Sequence, residues 1–287
     1  MLLSALLIGC RDDREEQQGE QPLFTSYLEI PGVTQEEIDA IEAIKAQGKA
    51  FTYGMIPCTE SFVGADGELT GASVYICAWL SELFDIPFTL SLHPLDELTE
   101  KLKTGELDFT GYFMNIPERH DTFFMTDAIA LRPVKYFRLA DSEPLPEIRE
   151  VRVPRYALIE GGATSRSIEQ QAIYDFTPVF IANPSDAYDL MVSGEADAFV
   201  GPGIMENSFD AYADIVSEFF IPMIYASSSI STQNPELAAF VSVISKALEN
   251  GALGHVNEMY AKGNGDFSPE STRCINALWE RFFSKAG

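Results

Sequence analysis

Positive charge is scarce in this chain: 19 Lys and Arg stand against 44 Asp and Glu, for a formal net charge of -25. Such an excess repels a polyanion at long range and argues against nucleic acid as a partner. Histidine is almost missing, with only His93, His120 and His255. Neither a GxSxG nucleophile elbow nor a phosphate-cradling P-loop run occurs, which removes the commonest hydrolase and nucleotide-binding signatures. The four cysteines, Cys10, Cys58, Cys77 and Cys274, lack metal-ligand spacing. No metal site and no cofactor are therefore expected. Beyond the first residues, no apolar stretch is long enough to span a bilayer.

What is present is a globular composition. With 46% hydrophobic residues over 287 positions, the chain can bury a full core or two. Met1 to Ile8 is a short apolar run that ends in Leu7-Ile8-Gly9-Cys10. It resembles a bacterial lipoprotein signal, although no Lys or Arg precedes it. That resemblance implies cleavage before Cys10, a lipid on its thiol, and an extracytoplasmic protein tethered to a membrane face. Arg11 to Pro22, rich in Gln, Glu and Asp, reads as a solvated tether, so residues 1–22 form signal plus tether. Cys58 and Cys77 read as buried free thiols, a bridge between them being the alternative.

Residues 23–50 predict a lead-in helix, since Thr34 and Glu37 make a capping-box pattern ahead of Ile38, Ile41 and Ile44. Strand and helix then alternate from Phe51. The order is FTYGMI, a helix carrying Ile76, Leu80, Leu83 and Phe84, a strand from Pro87 to Leu92, a helix from Leu95 to Thr104, and a strand near Phe109. Strict alternation is the signature of βαβ units around a largely parallel sheet. The stretch KLKTGELDFTG, around Gly105 and Asp108, is echoed by LMVSGEADAFVG, around Gly194 and Asp197, which implies two similar lobes. Leu139 to Pro154, with three prolines and mixed charges, predicts a crossing between lobes. Asn234 and Pro235 predict a helix start, with a face of Leu237, Phe240, Val241, Ile244 and Leu248. A second short helix is expected to run up to Lys262 and Gly263, and a third apolar helical segment carries Ile275, Leu278, Trp279 and Phe282.

Four ordered motifs, DGELTG, KLKTGELDF, PERHDTFFMTDAIA and TQNPELAAFVSVISKALENG, resemble the family 3 bacterial extracellular solute-binding proteins, the amino-acid receptors of ABC importers. The resemblance covers roughly Phe51 to Gly263. It implies an α/β, two-lobed periplasmic-binding-protein-like (type 2) fold, with a ligand cleft between lobes joined by two hinge strands. Residues 51–139 and 221–287 would form lobe 1 with its C-terminal helices, and residues 140–220 lobe 2. Expected partners are a small-molecule ligand, an ABC importer permease and, through the lipid, a membrane; the protein itself is expected to be a monomer.

Within PERHDTFF, the resemblance puts Arg119 where the family holds a ligand carboxylate, and a planar guanidinium fork suits that role. The loop before it carries Tyr112, Met114 and Ile116, where the family favours small hydroxyls, and leaves Asn115 as its compact polar group. At the start of lobe 2 the run Gly161-Gly162-Ala163-Thr164-Ser165 keeps backbone donors while losing the first hydroxyls. Gly201-Pro202-Gly203 stands where an acidic residue would take a ligand ammonium, with Glu60, Glu160 or Glu206 as substitutes. Thr59 replaces the aromatic of the first loop, with Phe62 nearby. The expected ligand-binding set is thus Arg119, Thr59, Glu60, Phe62, Tyr112, Met114, Asn115, Gly162, Ala163, Thr164 and Pro202, with no catalytic residue. Two alternatives are a ligand-sensing module of a signalling receptor and a cyclohexadienyl-dehydratase-like enzyme on the same fold, which needs a carboxylic acid as proton donor.

Overall fold

The structure is a computed structural model that describes residues 24–64, 66–209, 212–267 and Ser271. The apolar leader, Cys10, the tether, Cys274 and the segment from Ile275 to Phe282 lie outside the described residues.

The lead-in helix is α1 (Gln35–Lys45). Thr34 Oγ1 accepts from the Glu37 amide while Glu37 accepts from the Thr34 amide, so the capping box closes in both directions. The first lobe follows with β1 (Phe51–Met55), the hairpin β2 (Phe62–Val63) and β3 (Leu69–Thr70), α2 (Ala72–Phe84), β4 (Phe88–Leu92), α3 (Leu95–Thr104), β5 (Phe109–Thr110) and β6 (Phe124–Met125). The chain then passes into β7 (Ala130–Leu139), α4 (Leu145–Val151), β8 (Arg155–Ile159), α5 (Ala163–Gln171), β9 (Thr177–Ile181), α6 (Asp186–Val192), β10 (Ala198–Pro202) and β11 (Ile215–Phe219). It returns through β12 (Tyr225–Ser228) and β13 (Ser231–Thr232) to α7 (Ala238–Ala247) and α8 (Leu253–Gly265).

Besides the β2-β3 hairpin, the described residues form two larger sheets. The first runs β4-β1-β5-β13-β6, and the second β11-β7-β10-β8-β9 with β12 also paired to β7. In each, the first strand of a βαβαβ unit sits between the other two, as β4-β1-β5 and β9-β8-β10, with parallel pairing throughout. Such an order places a topological switch point beside the first strand, where loops leave the carboxyl ends in opposite directions and open a crevice. The echo in the sequence is this shared unit. Gly105 and Gly194, at φ +76° and +74°, end α3 and α6 in the left-handed conformation that glycine adopts without a Cβ penalty.

β7 is ten residues long and pairs with three strands. Its first half pairs antiparallel with β12, Ala130 opposite Ser228, and its second half with β10 and β11. The paired strands β7 and β12 are the connections between lobes. The chain therefore crosses along the first half of β7 and returns along β12, and the boundary expected at Leu139 falls at the far end of a strand already bonded into the second sheet. Leu139 to Pro154 is no crossing. Pro144 and Pro146 open α4 and Pro154 follows it, and Leu145 and Ile148 of the helix are buried in the second-lobe core.

The first-lobe core centres on Phe51, which packs edge-on against Phe88, Phe109 and Phe240 at ring-centroid distances of 5.1, 5.4 and 5.1 Å. Each such ring, fully removed from water, stabilises the fold by about 1.5–3 kcal/mol. Glu37 of α1 accepts from Lys246 and Ser242 of α7, which fastens the lead-in helix to this lobe. Burial opposes the ionised Glu37, but the Lys246, Thr34 and Ser242 bonds outweigh it and hold the carboxyl down at about 2. The second-lobe core is built on Tyr156, Phe220, Val134 and Ile168.

Candidate functional site

The loops that leave the carboxyl ends of both parallel units face one another across β7 and β12 and enclose a cavity of about 290 Å³. From the first lobe, the segment after β5 brings Tyr112, Phe113, Met114 and Arg119, and α3 brings Leu95 and Thr99. From the second, the β8–α5 turn brings Glu160 to Ser165, and the end of β10 brings Val200, Gly201 and Pro202. The hinge contributes Arg132 of β7 and Ala226 of β12. An outer chamber of about 510 Å³ shares Tyr112, Ile159, Glu160 and Met205 with it, so the cavity opens outward past Glu160.

Arg119 is half-buried, with its guanidinium carbon 4.4 Å from the Phe113 ring centroid. One nitrogen, Nη1, donates to the Met114 carbonyl at 3.2 Å. Among the described residues no carboxylate pairs with it, and burial, aided by the like charge of Arg166, draws its pKa below the ordinary guanidinium value. It remains charged at any biological pH. Opposite stands the start of α5, where no side chain caps the helix and Gly162 has an extended backbone. The first-turn amides of Ala163, Thr164 and Ser165 thus point positive potential at the space that Arg119 borders.

Arg132 behaves differently. Its Nε and Nη2 donate to the two oxygens of Glu60 at 2.9 and 2.6 Å, and the remaining nitrogen bonds go to the carbonyls of Gly111 and Tyr112. Arg132 and Glu60 are both buried, so the pair is neutral overall and complete in hydrogen bonds. Gly111 sits so close to Tyr53 that an added Cβ would meet its hydroxyl oxygen at 1.9 Å, which explains a glycine at this turn. Burial pushes the Tyr112 phenol up to about 12, leaving it a neutral donor and acceptor beside the cavity.

Of the expected residues, the structure brings Arg119, Tyr112, Met114, Gly162, Ala163, Thr164 and Pro202 to one cavity. Thr59 and Glu60 face a separate recess behind the hinge, of about 340 Å³, together with Arg132, Lys135 and Tyr260. Phe62 is fully buried with its ring edge-on to Phe267 at 5.1 Å, and Asn115 ties its loop to the Thr126 carbonyl at 2.8 Å. Neither lines the cavity. His120 hydrogen-bonds Asn115 at 2.6 Å on the exposed side of that loop. Sequence reading passed over Phe113, Phe123, Arg132 and Met205, which do line it. The aromatic pair could have been suspected from its position flanking Arg119.

Met114 also packs against Ala163 and Ala226 across the cleft, and its Sδ accepts from Thr164 Oγ1 at 3.4 Å. The lobes touch here. Cys58 and Cys77 are free and buried, and burial pushes both thiols up to about 12. Among the described residues there is no cluster able to hold a metal ion, and no helix is long and apolar enough to cross a membrane.

Solved structures carry the same architecture. An amino-acid ABC transporter substrate-binding protein from Streptococcus pneumoniae bound to L-arginine superposes with a TM-score of 0.60 at 12% identity, over 78% of this chain and 98% of that one. The fold is that of a type 2 periplasmic binding protein. The periplasmic VFT2 domain of Bordetella pertussis BvgS gives a TM-score of 0.65 at 16% identity, covering 78% of this chain and 97% of the domain. An ancestral amino-acid-binding protein described as a precursor of cyclohexadienyl dehydratase gives 0.58 at 17%, over 78% of this chain and 98% of that one. No family model and no curated protein sequence matches the chain. The type 2 fold read from the sequence motifs is thus present, carried by three-dimensional likeness at low identity.

Proposed function

We propose that this chain is an extracytoplasmic solute-binding protein that holds a small anionic or amino-acid-like solute between its lobes and delivers it to an ABC importer permease. The observation that carries this reading is Arg119, a half-buried cation without a carboxylate partner among the described residues, set across a cavity from the uncapped start of α5. A ligand carboxylate would take the free edge of the guanidinium and the α5 amides together, bridging the lobes, while Tyr112, Met114, Gly162, Ala163, Thr164 and Pro202 shape the walls. Acid catalysis has little to work with, because among the described residues the cavity's one lining carboxylate, Glu160, is exposed to solvent.

A thermal-shift screen of amino acids, small carboxylates, aromatic acids and peptides tests the reading, since a solute that binds only the folded chain raises the melting temperature. At least one carboxylate should do so. If none does at concentrations up to about 1 mM, where such receptors should be saturated, the reading fails. The membrane tether proposed at Cys10 has its own test: labelled palmitate should mark the wild-type chain and not Cys10→Ser.

A further inference from the structure

The charges around the cavity narrow the solute further. We infer that the cleft takes a carboxylic acid with an apolar body and no free amino group, an inference that rests on the carboxylate-binding reading above.

A buried ammonium needs a counter-charge, because neutral carbonyls and hydroxyls do not replace the water that a full charge gives up. The acids close enough to supply one are already engaged. Glu60 faces away from the cavity and spends both oxygens on Arg132. Glu206 accepts from Lys135 at 3.0 Å and from the Ser217 hydroxyl, and it too faces the recess behind the hinge. Where β10 reaches the cavity, its residues are Val200, Gly201 and Pro202, which carry no charge. That leaves two exposed residues, Glu160 on the cavity's lining and Asp96 in the adjoining chamber.

Inside, the uncompensated charge is that of Arg119, so the field that attracts a carboxylate repels an ammonium attached next to it. The walls facing that charge are Phe113, Phe123, Met114, Ile159, Val200 and Met205. An alkyl or aryl body fits such a lining. Tyr112, Thr99 and Thr164 remain as neutral partners for a hydroxyl or keto oxygen.

The test is a set of matched calorimetric titrations of the whole chain at one pH and salt concentration. Each pair differs in the amino group alone: propionate with alanine, 4-methylpentanoate with leucine, 3-phenylpropionate with phenylalanine, indole-3-propionate with tryptophan. In every pair that binds, the acid without the amino group should bind at least about tenfold tighter, a difference of about 1.4 kcal/mol. Equal or tighter binding of the amino acid overturns the inference and leaves the carboxylate reading standing. If no member of any pair binds, the carboxylate reading falls and the inference with it. The preference should also survive in Glu160→Gln. A preference that appears only in that variant assigns the ammonium to Glu160, and again overturns the inference.

Discussion

The two lobes solve one backbone problem with the same residue and different surroundings. In each, an acidic residue after a left-handed glycine accepts from the first strand of the unit. Asp108 takes the Thr52 amide at 2.8 Å and its hydroxyl at 2.9 Å, whereas Asp197 takes the Arg155 amide at 2.7 Å and the guanidinium groups of Arg152 and Arg155. The lobes also differ in what they offer the cleft. The first supplies a charged side chain and aromatic walls, and the second supplies main-chain donors and a charge-free strand end. Under the proposed function, recognition chemistry would be concentrated in the loop from Tyr112 to Phe123, while the second lobe would contribute mainly backbone donors.

The largest effect should come from the hinge pair that joins the lobes. Glu60→Gln leaves Arg132 buried beside a neutral amide, and urea unfolding should show a loss of about 3–5 kcal/mol. Joint replacement by Glu60→Leu and Arg132→Met should recover most of that loss, since an apolar pair has no charge to strand. A single variant as stable as wild type would mean that Arg132 finds water or another partner.

The acidic turns come next. Asp197→Asn should cost about 2 kcal/mol and Asp108→Asn about 1 kcal/mol, because the first loses charge-assisted bonds and the second loses bonds to neutral donors. Burial opposes ionisation of Asp197, but Arg152 and Arg155 outweigh it and hold the carboxyl well below the usual carboxylate range. With a depressed folded-state pKa, its contribution is complete above the ordinary aspartate value of about 3.9 and fades as pH falls below it. The gap in melting temperature between wild type and Asp197→Asn should therefore hold above about pH 5 and narrow progressively as pH falls below about 4, toward the depressed folded-state value. A gap constant over that range would deny the ion network its role. The smallest effect concerns the thiols. Cys58 and Cys77 should resist iodoacetamide in the native chain and react after denaturation, as peptide mass spectrometry would read.

Local chemistry made much of the fold legible in the sequence. The capping box at Thr34, the run of α3 and the glycine–acid junctions at Asp108 and Asp197 depend on residues close in sequence, and each appears where the pattern puts it. Prolines and charges signal a linker over Leu139 to Pro154, whereas in the structure Pro144 and Pro146 open α4, which packs on the second lobe. Glu60 and Arg132 lie 72 residues apart, and Arg132 sits in an alternating strand where nothing marks its side chain as buried. Long-range pairing of this kind has no local signature. The same holds for Met114 against Ala163 and Ala226, which come from three separate parts of the fold.

The central claim is that the cleft holds its solute by the carboxylate through Arg119. Calorimetric titration of wild type and Arg119→Ala with the best acid from the thermal-shift screen tests it most directly. The variant should fold, with an unfolding midpoint near that of wild type, and lose about 2–4 kcal/mol of affinity, as expected when a charge-assisted pair is removed from a desolvated site. Equal affinity in the two proteins would contradict the account and place the solute elsewhere.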